Sequence, residues 1–175
     1  MLPDCKTEMI ACLDVHYAEK EAWAAAVTFD SWTDATPASE RVVCVTEIEP
    51  YVPGRFFRRE LPCLLAVLRE LPPVSIAIID GYVWLDGKSK PGLGAHFYSA
   101  LNEQIPVIGV AKTEFLGAEN VRQVTRGNSA RPLFISAAGI DSDEASKFIK
   151  SLHGIHRIPT LLKRVDQLCR RGCIV

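Results

Sequence analysis

Three carboxylates stand where a folded core has no need of charge. Asp14 comes late in the apolar stretch "MIACLDVHY" (9–17), Asp80 ends "VSIAIID" (74–80), and Glu60 lies at the end of "YVPGRFFRRELP" (51–62), just ahead of another apolar run. Either aspartate alone could cap a turn, since Asp before Gly is common there. Three acids so placed point more strongly to a divalent-cation site. Hard cations take several carboxylate oxygens, and Mg²⁺ uses only a few, completing its octahedron with water and phosphate. One or two such ions activate water and stabilise the leaving oxygen of a phosphodiester.

The stretch that carries Glu60 is itself unusual. It holds a tyrosine, a Pro-Gly turn, three arginines and a second proline. A core helix needs neither the turn nor the clustered cations, and a solvent loop does not need Phe56, Phe57 and Leu61. The stretch reads as a short rigid projection joined to a helix that brings Glu60 into a site. On spacing alone, a surface turn ahead of a solvated basic helix start is the simpler account.

The elements that must position these residues alternate along the chain. Strand-like runs at 9–17, 21–30 and 41–49 read as a meander, with turn chemistry at 34–40. A helix is expected over 56–71, with Pro62 in its first turn, and Pro72-Pro73 stops it. A buried strand at 74–80 precedes a Gly- and Lys-rich loop at 81–92, a helix at 92–104 and a second buried strand at 105–112. Two strands around Gly127-Asn128-Ser129 follow, over 120–136. Helices at 142–154 and 158–172 carry their acids early and bases late, or a proline near the start and a glycine at the end. This order implies an α/β layer fold, an antiparallel meander feeding a parallel core, with ligands at the carboxyl ends of the strands. No linker divides residues 1–175, so one domain is expected.

Composition bounds the partners. The formal charge is −1 and 48% of residues are hydrophobic, so no global field draws polyanions, and a nucleic-acid site must rest on a local basic patch. No apolar run approaches the ~20 residues that span a bilayer, and "MLPDCKTEM" lacks the form of a secretion signal. A cytoplasmic protein is expected, monomeric and without a membrane partner. Cys12, Cys44 and Cys63 read as reduced core residues. Cys169 and Cys173 could bind a metal or oxidise, but with no paired-ligand motif they read as structural.

Seven segments in order, "LDVHY", "YVPGRFFRRELP", "IIDG", "GLGAH", "IPVIGVAK", "RPLFIS" and "RIPTLLKRVDQL", resemble the endonuclease V family over roughly residues 9–171. The resemblance implies a ribonuclease-H-like fold and a shortened member without the N-terminal helix usual in the family. It also implies Mg²⁺-dependent cleavage, with Mn²⁺ able to substitute, of DNA or RNA at the second phosphodiester 3′ of a deaminated base, chiefly inosine. By motif position, Asp14, Glu60 and Asp80 hold the metal and Lys112 approaches the scissile phosphate. Tyr51, Val52, Pro53 and Gly54 form a wedge in the space left by an extruded base, and Gly81 lies by the base pocket. A ring stacks where a base has left, and extruding a mispaired base costs least. Arg55, Arg58 and Arg59 are placed to hold phosphates.

The chain departs from the family in "DGYVWLDGKSKPGLGAH" (80–96). Tyr82 and Val83 replace a glycine neighbourhood, and Asp86-Gly87-Lys88 stands where the family has His-Pro-Arg. Lys88 and Lys90 keep positive charge there. A narrowed pocket is expected, with weaker discrimination for inosine. The family's later Ser-Pro-Gly-His-Arg is "SAAGIDSDEA" here, its histidine falling near Gly139. Asp141 is a candidate fourth ligand or water-orienting base, or else a helix cap. Three function classes stay open: an active or weakened endonuclease V-like nuclease, a noncatalytic or specificity-altered homologue that binds structured or damaged nucleic acid, and another ribonuclease-H-like nuclease that accepts ordinary strands or junctions.

Overall fold

A computed structural model of the chain describes residues 8–86 and 89–172. Strands β1 (Ile10–Tyr17), β2 (Ala22–Phe29) and β3 (Ser39–Val45) form the meander, followed by helix α1 (Phe56–Leu68) and strand β4 (Ile76–Asp80). A two-stranded ribbon, β5 (Trp84–Asp86) and β6 (Lys90–Pro91), rises from the 81–92 segment expected as loop. Helix α2 (Leu93–Ala100), strands β7 (Val107–Ala111), β8 (Arg122–Val124) and β9 (Leu133–Ala138), and helices α3 (Ser142–Ser151) and α4 (Thr160–Gly172) complete the chain. Seven strands share a sheet in the order β3-β2-β1-β4-β7-β9-β8. β1, β4 and β7 run parallel at its centre, with antiparallel strands on both sides. This is the expected mixed sheet of a ribonuclease-H-like fold.

Strand alternation sorts the core into two layers. Ile10 and Cys12 of β1, Ile76 and Ile78 of β4, and Ile108 and Val110 of β7 pack with Ala145, Ile149, Leu161 and Val165 of α3 and α4. Ala11, Leu13, Ala77, Ile79 and Val107 face Cys63, Leu64 and Val67 of α1 and Phe97 of α2. Continuing each alternation past the core sends Asp14, Asp80 and Lys112 toward the α4 side, while α1 covers the other.

Two expectations need correction. Helix α1 begins at Phe56, so Pro62 lies inside it. Its first turn follows a tight turn in which Arg55 N–H donates to the Val52 carbonyl at 3.0 Å. Tertiary contacts hold that turn: Phe56 meets Tyr17 edge-on at 6.2 Å, and Phe57 stacks on His96 at 3.6 Å. Cys44 is not core: it lies on the exposed side of edge strand β3, its thiol toward Glu21.

The turn after β4 packs tightly on Gly109 in β7. A Cβ there would lie 2.5 Å from the Gly81 carbonyl oxygen and 3.0 Å from the Val83 amide nitrogen. Both obstacles are main chain, so neither can rotate away. Gly109→Ala is therefore expected to lower the melting temperature by several degrees, an overpacking cost of about 1–3 kcal/mol. An unchanged melting curve would show that the turn after β4 yields freely.

Candidate active site

Parallel pairing of β1 with β4 runs Ile10 to Ile76 through Leu13 to Ile79. The next residues, Asp14 and Asp80, therefore leave the sheet side by side on the same face. Asp80 is in turn level with Val110 of β7, and Lys112 two residues on has its Nζ 2.7 Å from Asp80 Oδ2. These three residues line a cavity of about 380 Å³, closed on its other side by Arg157, Leu162 and Asp166. Glu60 comes from the α1 side. It is 6% exposed, and its Oε2 is buried without a hydrogen-bond partner.

The electrostatics of this mouth are one-sided. Burial, and then the charge of Asp80, push Asp14 up to about 7, against a hydrogen bond from the Val15 amide that favours the anion. Burial, followed by the charges of Asp14 and Asp80, pushes Glu60 up to about 8. Partial burial works against the Lys112 ammonium, but the Asp80 hydrogen bond and the charges of Asp80, Asp14 and Asp166 together hold it above its ordinary value. The cluster thus gathers more carboxylates than its lysine can neutralise.

This donor set fits a hard divalent cation. Its side chains offer carboxylate oxygens, one of them buried and unpartnered, in a place where only added positive charge makes full ionisation favourable. The three expected acids do not close on one point, however. Among the described residues, the trio whose ligand atoms lie within 4.8 Å of one another is Asp14, Asp166 and Cys169. Asp80 is drawn instead to Lys112.

Asp166 is the acid that sequence reading missed. Leu162, Val165, Asp166 and Cys169 fall at i, i+3, i+4 and i+7, the spacing of one helix face. The signal was a carboxylate on the apolar stripe of α4. Arg126 and Arg157 were missed as well. Arg126, 6% exposed, donates to the carbonyls of Leu152, Gly154 and His156 and so ties down the loop before α4. Arg157 donates to the Lys112 carbonyl at 2.5 Å and the Pro132 carbonyl at 2.8 Å. Only tertiary contact gives these residues their role, so local pattern carries no sign of it.

Asp141 does not join the cluster. It is the N-cap of α3, its Oδ1 accepting from the amides of Asp143 and Glu144 at 2.9 and 3.2 Å. The reason is strand direction. β9 runs antiparallel to β7, with Ala138 opposite Val107, so the residues after β9 emerge at the end of the sheet away from Lys112. Four strand steps separate the two ends, about 13 Å.

The other expected residues divide by exposure. Tyr51 is 60% exposed, Val52 and Pro53 are exposed beside it, and Gly54 turns the chain at φ +76°, a region that costs glycine little. The Tyr51 ring meets Phe56 edge-on at 6.3 Å. Arg55, Arg58 and Lys90 are exposed. The Arg59 guanidinium lies 4.0 Å over the Tyr17 ring, and Lys88 falls outside the described residues. Gly81 follows Asp80, its amide donating to the Val110 carbonyl. Val83 is fully buried in the layer beneath α2. The Tyr82 hydroxyl donates to the Thr113 carbonyl at 2.8 Å and accepts from the Phe115 amide at 3.0 Å.

Residues 2–130 match the family model described as Endonuclease V. A curated relative, endonuclease V of Streptomyces avermitilis, is 32% identical over 97% of this chain and 82% of its own length. The crystal structure of an endonuclease V from the same organism superposes with a TM-score of 0.78 at 27% identity, covering 96% of this chain and 82% of that one. Ciona intestinalis endonuclease V, crystallised with a 24mer DNA containing an inosine followed by a ribo-adenosine, gives 0.79 over 97% of this chain and 87% of that one. At 18% identity, that likeness is one of fold. Among the described residues no helix is long and apolar enough to cross a membrane.

The raised carboxyls link stability to pH. Asp14 and Glu60 hold their protons more tightly in the fold than in the unfolded chain, where carboxyls titrate near 4. Stability in chelator should therefore fall as pH rises from about 4 toward 8, and divalent cation should restore it. Glu60→Gln, which removes the buried charge at nearly constant shape, should raise the metal-free melting temperature at pH 8 by several degrees and blunt the gain on adding Mn²⁺. Thermal melts across pH, with and without the ion, check this. A Glu60→Gln protein melting lower than the parent at pH 8 would show that the carboxylate is compensated within the fold.

Proposed function

This chain belongs to the endonuclease V family, and from that premise we propose that it is a metal-dependent nuclease cutting DNA or RNA at the second phosphodiester 3′ of a deaminated base, chiefly inosine. The observation that carries the reading is the carboxylate cluster where β4 ends beside β1, with its buried, unpartnered Glu60 oxygen. Asp14, Glu60, Asp80 and the unforeseen Asp166 would hold Mg²⁺ or Mn²⁺. When bound, such an ion supplies Lewis acidity toward the phosphate and a more acidic attacking water.

The chain's own residues do the rest. Lys112, held by Asp80, offers a cation to the scissile phosphate, and Arg157 fixes the backbone beneath it. Arg55, Arg58 and Lys90 are free to hold flanking phosphates. Tyr51, presented by the Pro-Gly turn, stacks where the extruded base has left. Tyr82 narrows the space beside Gly81 by its bond to the 113–115 segment, which favours weaker discrimination for inosine than in the family at large. Because all seven strands of the main sheet are shared, residues 1–175 are read as one domain, acting as a monomer.

Cleavage of inosine-containing and control oligonucleotides, DNA and RNA, with Mg²⁺ and with Mn²⁺, tests the reading. Asp80→Ala should abolish metal-dependent cutting. No product from any substrate with either ion, while binding persists, would leave a nucleic-acid-binding homologue in place of the enzyme. Tyr51→Ala should weaken binding to an inosine duplex roughly tenfold or more, because a stacked aromatic is worth ~1–3 kcal/mol, with the fold intact. Affinity should also fall with salt. Binding unmoved by the loss of Tyr51 would reduce residues 51–54 to a surface turn.

A further inference from the structure

Cys169 stands against the candidate cation site, yet an oxygen-binding metal has no use for it. Its Sγ and one carboxylate oxygen each from Asp14 and Asp166 lie within 4.8 Å of one another. Asp166 and Cys169 are i, i+3 on α4, so both point to one side of the helix, and Asp14 faces them from β1. We propose that this corner is a second, thiolate-bearing metal position that takes zinc-class ions (Zn²⁺, Cd²⁺ or Co²⁺) and, by claiming Asp14, excludes Mg²⁺ from the oxygen site. The inference rests on the reading of Asp14 as a metal ligand.

Ligand chemistry separates the two positions. Thiolate selects zinc and its softer neighbours, whereas Mg²⁺ and Mn²⁺ are held by carboxylate and water. Zinc bonds of about 2.3 Å to sulfur and 2.0–2.2 Å to oxygen hold tetrahedral ligand atoms about 3.5 Å apart, inside the 4.8 Å within which these three atoms lie. The thiol donates to the Asp166 carbonyl, 3.1 Å away. A further buried carboxylate stands near Asp14. Glu60, 6% exposed and with one oxygen unpartnered, feels the charge of Asp14 ahead of any other acid. Asp14 and Asp166 both line the open cavity, so an ion reaches them without unfolding α4. On binding, the S–H bond breaks, a sulfur–metal bond forms and one proton leaves to solvent, with no change of oxidation state.

Cadmium reports the site directly, because a thiolate–cadmium bond adds charge-transfer absorption in the ultraviolet. Titrating Cd²⁺ into the full chain should produce that band with one-to-one saturation, and Cys169→Ser should lose it. Zn²⁺ affinity by calorimetry should fall about tenfold or more in the same variant, while Mn²⁺ affinity changes far less. Asp166→Asn, on the half-buried side of α4, gives a second test should Cys169→Ser fail to fold: its Cd²⁺ affinity should also fall about tenfold. A band and affinity unchanged in either variant overturn the proposal. So does a parent protein that binds Mn²⁺ but shows no thiolate band. A parent that binds neither ion removes the oxygen site too, and with it the reading on which the proposal rests.

Discussion

The site depends on one strand pairing. Because β1 and β4 run parallel in the register Leu13 to Ile79, the residue after each pair member is an aspartate, and the two emerge together at the carboxyl end of the sheet. An antiparallel pairing would have sent them to opposite ends, as β9 does with Asp141. The same register brings a cost. Two like charges share a half-buried mouth with Glu60 behind them, and Lys112 answers only one of them closely. Uncompensated buried charge is expensive, so such a cluster either keeps its protons or gains a positive partner. The fold holds its acids in an arrangement it cannot satisfy alone.

The α4 side shows how that arrangement is closed. Apolar residues of α4 seal the lower part of the cavity, and Asp166 takes a position on the stripe that reaches Asp14. The loop leading into α4 has no regular structure to hold it. Arg126 supplies the hold by donating to main-chain carbonyls, and Arg157 extends it to the backbone of Lys112. Guanidinium suits this task because one rigid group carries several donors. Positioning of the lysine is thus shared between its own ion pair and a neighbour that never touches the cavity's acids.

On the opposite side, the segment from Tyr51 into α1 passes from solvent to core within a few residues. Tyr51 and Phe56 stand in solvent, while Glu60 is buried. Between them, Tyr17 touches both Phe56 and Arg59. Packed rings therefore link the exposed turn to the residue just before Glu60.

Much of this was legible in the chain. Apolar runs of strand length, each ending in an acid, already located Asp14 and Asp80, and the Pro-Gly turn marked Tyr51 as a projection. The order of elements implied the meander and the parallel core. Asp166 was also within reach, as a charge on an amphipathic stripe, but a single sequence does not say which helix will face the strand ends. Asp141 shows the converse. Its sequence setting allowed both cap and ligand, and only the direction of β9 settled the matter by carrying it to the far end of the sheet. Val83 and Tyr82 were read as a pair, yet alternation buries one and leaves the other bonded to the 113–115 segment. The sequence by itself determined which residues are chemically able to act and the order of the main strands and helices, because those depend on side-chain type and local period. The tertiary structure alone decided which of them meet, because strand direction, register and the packing of α4 are set by contacts between residues distant in the chain.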